Sequence, residues 1–306
     1  MQTEAFIRYL ASKKEIDDRS LNAAVWQKLV EILPPGSSEM PLRVLEVGAG
    51  IGTMMERLME RGVVPYAVYT ALDAQAELLQ AGQCRLIEWA QPRNLSVQIA
   101  ENRLALHGDR LDVQVRFVAQ DLFHWLKEDQ PPGGYDLLIA HAFLDLVDLD
   151  ETLPPLFQQL RPGGVFYFTL TFDGLTVLEP PIEPEFDGMV IAGYHQTMDE
   201  RIVDGRRSGG SASGRKLFAA VERAGGILLQ AGASDWVVFP KAGKYEQAEI
   251  IFLRAILDMI AGALQGHPAL DKPRFQDWMQ TRYRQLEKGE LIYIAHQLDM
   301  VGIKGK

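Results

Sequence analysis

A single cysteine, Cys84, in a chain of 306 residues excludes an internal disulfide and any metal site built from several cysteines. Positive charge is also short. Lys and Arg number 31 against 41 Asp and Glu, a formal net charge of −10, whereas general affinity for nucleic acid or an anionic membrane needs the opposite sign. That argument concerns the whole chain and leaves room for a local basic mouth. No run approaches the roughly 20 apolar residues that span a bilayer. The start, Met1-Gln2-Thr3-Glu4, lacks the basic residues and apolar run of a secretion signal, so a cytoplasmic protein is expected. Internal repeats and low-complexity tracts are absent. Hydrophobic residues at 47% and charged residues at 24% allow a sizeable core. The length suits one large α/β domain with insertions, or two small domains.

The pattern along the chain alternates. Residues 4–33 read as helical, with Leu21, Val25, Trp26, Leu29, Val30 and Leu33 at helical spacing before Pro34-Pro35-Gly36. Strands are expected at 43–47, 66–72, 113–118, 135–140 and 165–171, with helices between them at 54–62, 74–107 (broken near Pro92), 122–127 and 149–160. This rhythm predicts a mostly parallel sheet covered on both faces. Beyond residue 171 it breaks. Residues 173–207 contain three prolines and little periodicity, and read as an excursion from the sheet. A helix at 214–224, strands at 227–231 and 236–239, a helical stretch at 245–288 with Ile250, Ile251, Leu253, Ile256, Leu257 and Ile260 on one face, and a last strand at 291–296 complete the chain.

In an open parallel sheet, ligands bind at the carboxyl ends of the strands where the strand order reverses. The first strand leads through Glu46 into Gly48, Gly50 and Gly52, residues that allow a sharp turn and close approach to a ligand. Thr53 stands where a dinucleotide fingerprint has its third glycine, which favours an adenosyl and amino-acid ligand over a pyrophosphate. Asp73, ending the second strand, can accept hydrogen bonds from two ribose hydroxyls. Asp121-Leu122, after the third, is placed for an adenine amino group, although Asp121 also suits a helix N-cap. Taken singly, each glycine reads equally as a plain turn and Asp73 as a capping residue.

The run Val44-Leu45-Glu46-Val47-Gly48-Ala49-Gly50-Ile51-Gly52-Thr53 resembles the first motif of class I S-adenosylmethionine-dependent methyltransferases. Asp73, Gln120-Asp121-Leu122, Tyr135-Asp136-Leu137-Leu138-Ile139 and Leu160-Arg161-Pro162-Gly163-Gly164 match the later motifs in order and spacing, and the likeness covers residues 40–172. It implies an α/β, Rossmann-like sheet of seven strands, mostly parallel with a reversed last strand, plus helical insertions. The chain then divides into a helical cap at 1–40, a cofactor core at 41–172, an acceptor-site insertion at 173–213, and the rest of the sheet at 214–306 with its helical insertion at 245–288.

The resemblance also implies the cofactor, S-adenosyl-L-methionine, and its contacts. Gly48, Ala49, Gly50, Gly52 and Glu46 would surround the methionine portion, Asp73 and Ala74 the ribose, Asp121 and Leu122 the adenine, and Ala140 and His141 the post-strand position beside the methionine. From the N-terminal patch of Tyr9, Lys13, Lys14 and Arg19, the cation of Arg19 can pair with the cofactor's carboxylate; a solvated helix face is the plainer reading. For the acceptor, His141 and His195 are candidate general bases, and Asp145, Tyr194, His195 and Arg215 candidate substrate contacts. Met198, Asp199, Arg201 and Ser208-Gly209-Gly210-Ser211 look too particular for a plain linker. The fourth strand is followed by Ala140-His141-Ala142-Phe143, not the Asn/Asp-Pro-Pro-aromatic run of amide and exocyclic-amine methyltransferases. Cys84 is misplaced for a pyrimidine nucleophile, and no magnesium site of the catechol type is visible. The expected partner is a small-molecule acceptor through O, N or C, with no membrane or nucleic acid, and with a homodimer left open. Other readings are a nicotinamide-dependent oxidoreductase, disfavoured by Thr53 and the reversed last strand, a non-catalytic binding subunit, and a methyltransferase of macromolecules.

Overall fold

A computed structural model describes residues 3–128, 133–203 and 205–306. Helices α1 (Thr3–Ser20) and α2 (Ala23–Ile32) precede β1 (Leu42–Val47), α3 (Thr53–Glu60), β2 (Tyr66–Asp73) and α4 (Ala76–Ala90). An antiparallel run follows: β3 (Ser96–Ala100), β4 (Arg103–Gly108) and β5 (Leu111–Ala119). Then come α5 (Leu122–Trp125), β6 (Tyr135–His141), α6 (Leu149–Gln159), β7 (Leu160–Glu179), α7 (Pro184–Asp199) and the short strands β8 (Ile202–Val203) and β9 (Arg206–Arg207). The chain ends with α8 (Ser213–Arg223), β10 (Gly226–Ala233), β11 (Trp236–Val238), α9 (Gln247–Ala263), α10 (Lys272–Glu287) and β12 (Ile292–Lys304). Among the described residues, no helix is long and apolar enough to cross a membrane.

The main sheet has ten strands in the order β10-β12-β7-β6-β1-β2-β5-β4-β3, with β11 paired to β12. Strands β5, β2, β1, β6 and β7 are parallel, and β12 runs antiparallel to β7 and β10. This is the expected mostly parallel sheet with a reversed last strand, enlarged beyond seven strands by β3, β4 and β11. Central strands bury both faces. Val44, Leu137 and Ile139 point into a core beneath α1, α2, α4 and α9, while Leu45, Leu138 and Ala140 point into a second core beneath α6 and α8. Burial on both sides is why these strands read as continuous apolar runs.

Several expectations need correction. Residues 96–108, read as helix, form the β3–β4 hairpin. Helix α4 ends at Ala90, a 3-10 turn carrying Pro92 follows, Asn94 takes a left-handed φ of 55°, and Leu104 and Leu106 then alternate with more exposed neighbours as a strand requires. The excursion expected from 173 begins later, because β7 continues to Glu179. Within it α7 buries only Phe186, Val190 and Gly193, a stripe one residue wide that left little periodic signal. The last strand runs well past 296. Gln297 and Asp299 interrupt its apolar pattern, yet both are buried.

The N-terminal pair is placed by capping and charge. Asn22 accepts hydrogen bonds from the backbone N–H groups of Ala24 and Val25, both at 3.1 Å, so α2 starts at once after α1 ends. Asp299 accepts from Asn22 N and from Leu170 N, each at 2.8 Å. That second bond holds Leu170 at a φ of 53°, where β7 and β12 slip in register. Leu170 is thereby turned toward the space above the strand ends.

Candidate active site

The strand order reverses around β1, which lies between β2 and β6, and a cavity of about 810 Å³ opens above the carboxyl ends of these strands. Its floor is the turn after β1. Gly48, Gly50 and Gly52 have φ values of 66°, 53° and 74°, and a Cβ on Gly48 would lie 2.2 Å from the Phe143 ring. Asp73 fastens this turn, accepting from Gly50 N at 2.8 Å and Gln75 N at 2.9 Å. Burial raises its carboxyl above the ordinary range, although those two N–H groups oppose the shift. Glu46 is buried beside the turn. Burial pushes its carboxyl up to about 8, even though the Tyr69 hydroxyl donates to it at 2.6 Å.

One wall comes from α1. Phe6, Tyr9, Lys13 and Asp17 recur every three or four residues and, with Leu10, present one helix face to the cavity. Asp17 is the hub of that wall. It accepts from Lys13 Nζ at 2.7 Å, Trp236 Nε1 at 2.9 Å and His141 Nε2 at 3.2 Å. Burial alone would raise its pKa, but Lys13 and His141 prevail and hold it at about 2. An ionised Asp17 only accepts, so His141 carries its proton on Nε2 and its Nδ1 accepts from the Thr169 hydroxyl at 2.8 Å. Burial lowers the imidazole to about 4 despite Asp17. His141 is therefore neutral, with both ring nitrogens engaged by protein and no lone pair free to accept a proton from a ligand. The expectation of His141 as a general base is corrected on this ground.

The opposite side is built by the segments after β5, β6 and β7. Asp121 caps α5, accepting from Phe123 N at 3.0 Å and His124 N at 3.1 Å, and lines the cavity with Leu122. Beyond β6, Ala142 adopts a φ of 50° and donates its N–H to Thr169 O at 2.8 Å, which aims Phe143 and Asp145 at the cavity. Asp145 Oδ1 is buried without a hydrogen-bond partner, and burial pushes its carboxyl up to about 6 against the pull of Arg201 and Lys13. Tyr194 of α7 stands nearby, its hydroxyl raised to about 12 by burial.

The structure thus brings Glu46, Gly48, Ala49, Gly50, Asp73, Ala74, Asp121, Leu122, His141, Asp145 and Tyr194 to one cavity. It does not bring the others. Arg19 points away and pairs with Glu249 at 2.7 Å, joining α1 to α9; Lys13, one turn and a half earlier on the inner face, is the cation at the cavity. Arg215 clasps Asp173 through Nε at 2.9 and 3.1 Å and fastens the start of α8 to β7. His195 lies behind the wall, bonded to Thr176 at 3.0 Å and packed edge-on against Phe172. Ala140 is buried within the sheet, and Gly52 faces Met55 at the start of α3. Sequence reasoning missed Asp17 and Trp236. The Lys13/Asp17 spacing of four on a helix was a usable signal for the first; nothing local marks the second.

No protein-family model matches the chain. It is 32% identical over 175 residues to the malonyl-[acyl-carrier protein] O-methyltransferase of Chlorobium phaeovibrioides, a match covering 54% of each protein, so the chain spans about half the length of this curated relative. Among solved structures, it superposes on a protein of Bacillus halodurans C-125, described provisionally as a methyltransferase, with a TM-score of 0.51 and 13% identity, covering 93% of this chain and all of that one. The YcgJ protein of Bacillus subtilis aligns with a TM-score of 0.48 and 12% identity over 93% of this chain and all of that one.

Proposed function

We propose that this chain, which has the class I S-adenosylmethionine-dependent methyltransferase fold, binds S-adenosylmethionine above β1 and β2 and directs methyl transfer to a small-molecule acceptor. The observation that carries this reading is the convergence of the Gly48–Gly52 turn, Asp73 and Asp121 on one cavity at the reversal of strand order. The residues fit such a cofactor. Three positive-φ glycines leave a cradle that side chains would fill, Asp73 presents carboxylate oxygens at a strand end, and buried Glu46 is a carboxyl that a cationic amino group would ionise. The curated relative, named an O-methyltransferase, supports an oxygen acceptor and a methyltransferase activity.

When bound, the cofactor supplies an electrophilic methyl group on sulfur; the protein's part is alignment and, where the acceptor carries a proton, its removal. Lys13 is the cation held at the cavity wall by Asp17, suited to the cofactor's carboxylate. His141 and Thr169 hold Asp17 in place rather than moving protons. Asp145 is the carboxyl left with an oxygen free to accept a proton, and it lines the same cavity as Tyr194 and Phe143. Aromatic side chains of Tyr9, Phe143, Phe172, Tyr194, Trp236 and Tyr293 complete a wall that excludes water from the transfer.

Release of S-adenosylhomocysteine, measured across a panel of carboxylate, hydroxyl and amine acceptors, tests the reading. Turnover is expected with at least one class. For an acceptor that must lose a proton, the rate should rise through about pH 6 as Asp145 ionises, and Asp145→Asn should lower it about 10²–10⁴-fold. Cofactor binding with no turnover across the panel would leave a non-catalytic binding subunit.

A further inference from the structure

Strands β8 and β9 make a small two-stranded ribbon outside the main sheet. It is fastened over the loop that follows β6. Ser208 Oγ donates to Leu146 O at 2.6 Å and Gly210 N to Asp145 O at 3.3 Å. Gly209 has a φ of 82°, and a Cβ there would sit 1.9 Å from Asp145 O, so only glycine lets the ribbon's foot lie this close to the loop. Arg206 and Arg207, which form β9, and Arg201, just before β8, line the cavity.

Of these three guanidinium groups only Arg201 acts on a carboxyl of the site, pulling on Asp145 without pairing with it. Among the described residues none of them forms an ion pair, although acidic residues outnumber basic ones. Arginines that serve the fold are paired: Arg57 with Asp18, Arg282 with Asp187, Arg215 with Asp173. Arg206 instead places its guanidinium 4.5 Å from the centroid of the Phe123 ring, a cation–π contact that leaves its N–H donors for a ligand. Like charges lining one cavity repel each other, and an oxyanion bound among them would reduce the repulsion while accepting charge-assisted hydrogen bonds. In a chain of formal net charge −10, these cations are a local basic feature of the cavity lining.

We propose that Arg201, Arg206 and Arg207 form an oxyanion subsite, and that the acceptor carries a carboxylate or phosphate which this subsite grips while the aromatic wall holds its apolar part. The inference rests on the methyltransferase reading and adds the acceptor's charge to it. The cofactor's carboxylate is a different anion: its partner in this reading is Lys13, on α1.

Calorimetry on the full chain separates the possibilities. S-adenosylhomocysteine is titrated first; failure to bind would overturn the methyltransferase reading and this one with it. Protein saturated with S-adenosylhomocysteine is then titrated with pyrophosphate and, separately, with malonate. Saturable binding of one equivalent is expected, in about the millimolar range or tighter for such small probes, and the tighter of the two probes identifies phosphate or carboxylate as the natural group. Arg206→Gln combined with Arg207→Gln should weaken the probe by about tenfold or more, with Arg201→Gln acting in the same direction. Arg223→Gln, which alters a surface pair with Asp150, should leave it unchanged. Unaltered S-adenosylhomocysteine affinity in each variant verifies that the fold is intact. If the cofactor product binds but neither anion does, if the arginine substitutions have no effect, or if saturation with S-adenosylhomocysteine abolishes anion binding, the subsite does not exist as proposed.

Discussion

Asp73 performs two tasks at once. Its carboxylate terminates β2 and accepts the Gly50 and Gln75 N–H groups, so the glycine turn and the proposed ribose contact depend on the same side chain. Asp73→Ala should weaken S-adenosylhomocysteine by roughly 1.5–3 kcal/mol, about 10- to 150-fold, and should also lower stability by about 1–3 kcal/mol because two backbone donors lose their acceptor. Unchanged affinity, read by calorimetry, would move the ribose contact elsewhere. His141 makes the complementary case of a titratable residue that acts by staying neutral. Its folded pKa of about 4 lies below the ordinary 6.5. The stability it contributes is thus complete above pH 6.5 and lost as pH falls through about 4, where the unfolded chain takes up the proton more readily. Denaturant midpoints measured from pH 4 to 7 should fall on acidification in the parent, with a shallower slope in His141→Gln across that window. Parallel profiles would mean that the imidazole is not held neutral by burial.

Helix α1 is the element on which cavity and core meet. Its inner face supplies Tyr9, Lys13 and Asp17, and it packs against α9, whose buried Phe252, Ile256 and Ile260 each contribute about 1.5–3 kcal/mol on leaving water. Removing the hub carboxylate should therefore damage fold and site together. Asp17→Ala is expected to cost about 3–5 kcal/mol, because the Lys13 ammonium and the ring N–H groups of Trp236 and His141 would each lose this buried acceptor; a loss below about 1 kcal/mol by denaturant unfolding would show that the cluster is solvated. This element also marks how far the sequence can be read. The glycine turn, Asp73 and Asp121 were legible because strand, turn and helix follow each other locally and fix where the side chains fall. Asp17 meets His141 across 124 positions and Trp236 across 219, so no spacing rule reaches either partner. Arg19 and Lys13 are indistinguishable in the sequence for the same reason. Both are cations on one helix, and only the packing of α1 on β11 and α9 decides which faces inward. The β3–β4 hairpin was hidden differently, because β3 is exposed and carries no apolar alternation strong enough to oppose the helical reading of its neighbours.

At the scale of the molecule, a ten-stranded sheet with its reversal at β1 brings residues as far apart in sequence as Phe6 and Gln297 to one cavity. The N-terminal helix, the post-β7 ribbon and α9 close over a floor that is otherwise shared with dinucleotide-binding sheets. What distinguishes the two is local: Thr53 in place of a third glycine, Glu46 beneath the turn, and an antiparallel β12. Direct titration of the purified full chain with S-adenosylmethionine, S-adenosylhomocysteine and NAD is the measurement that bears most directly on this account. Binding of both adenosyl ligands with about micromolar Kd, and no comparable heat from NAD, is predicted; NAD binding tighter than either would contradict it.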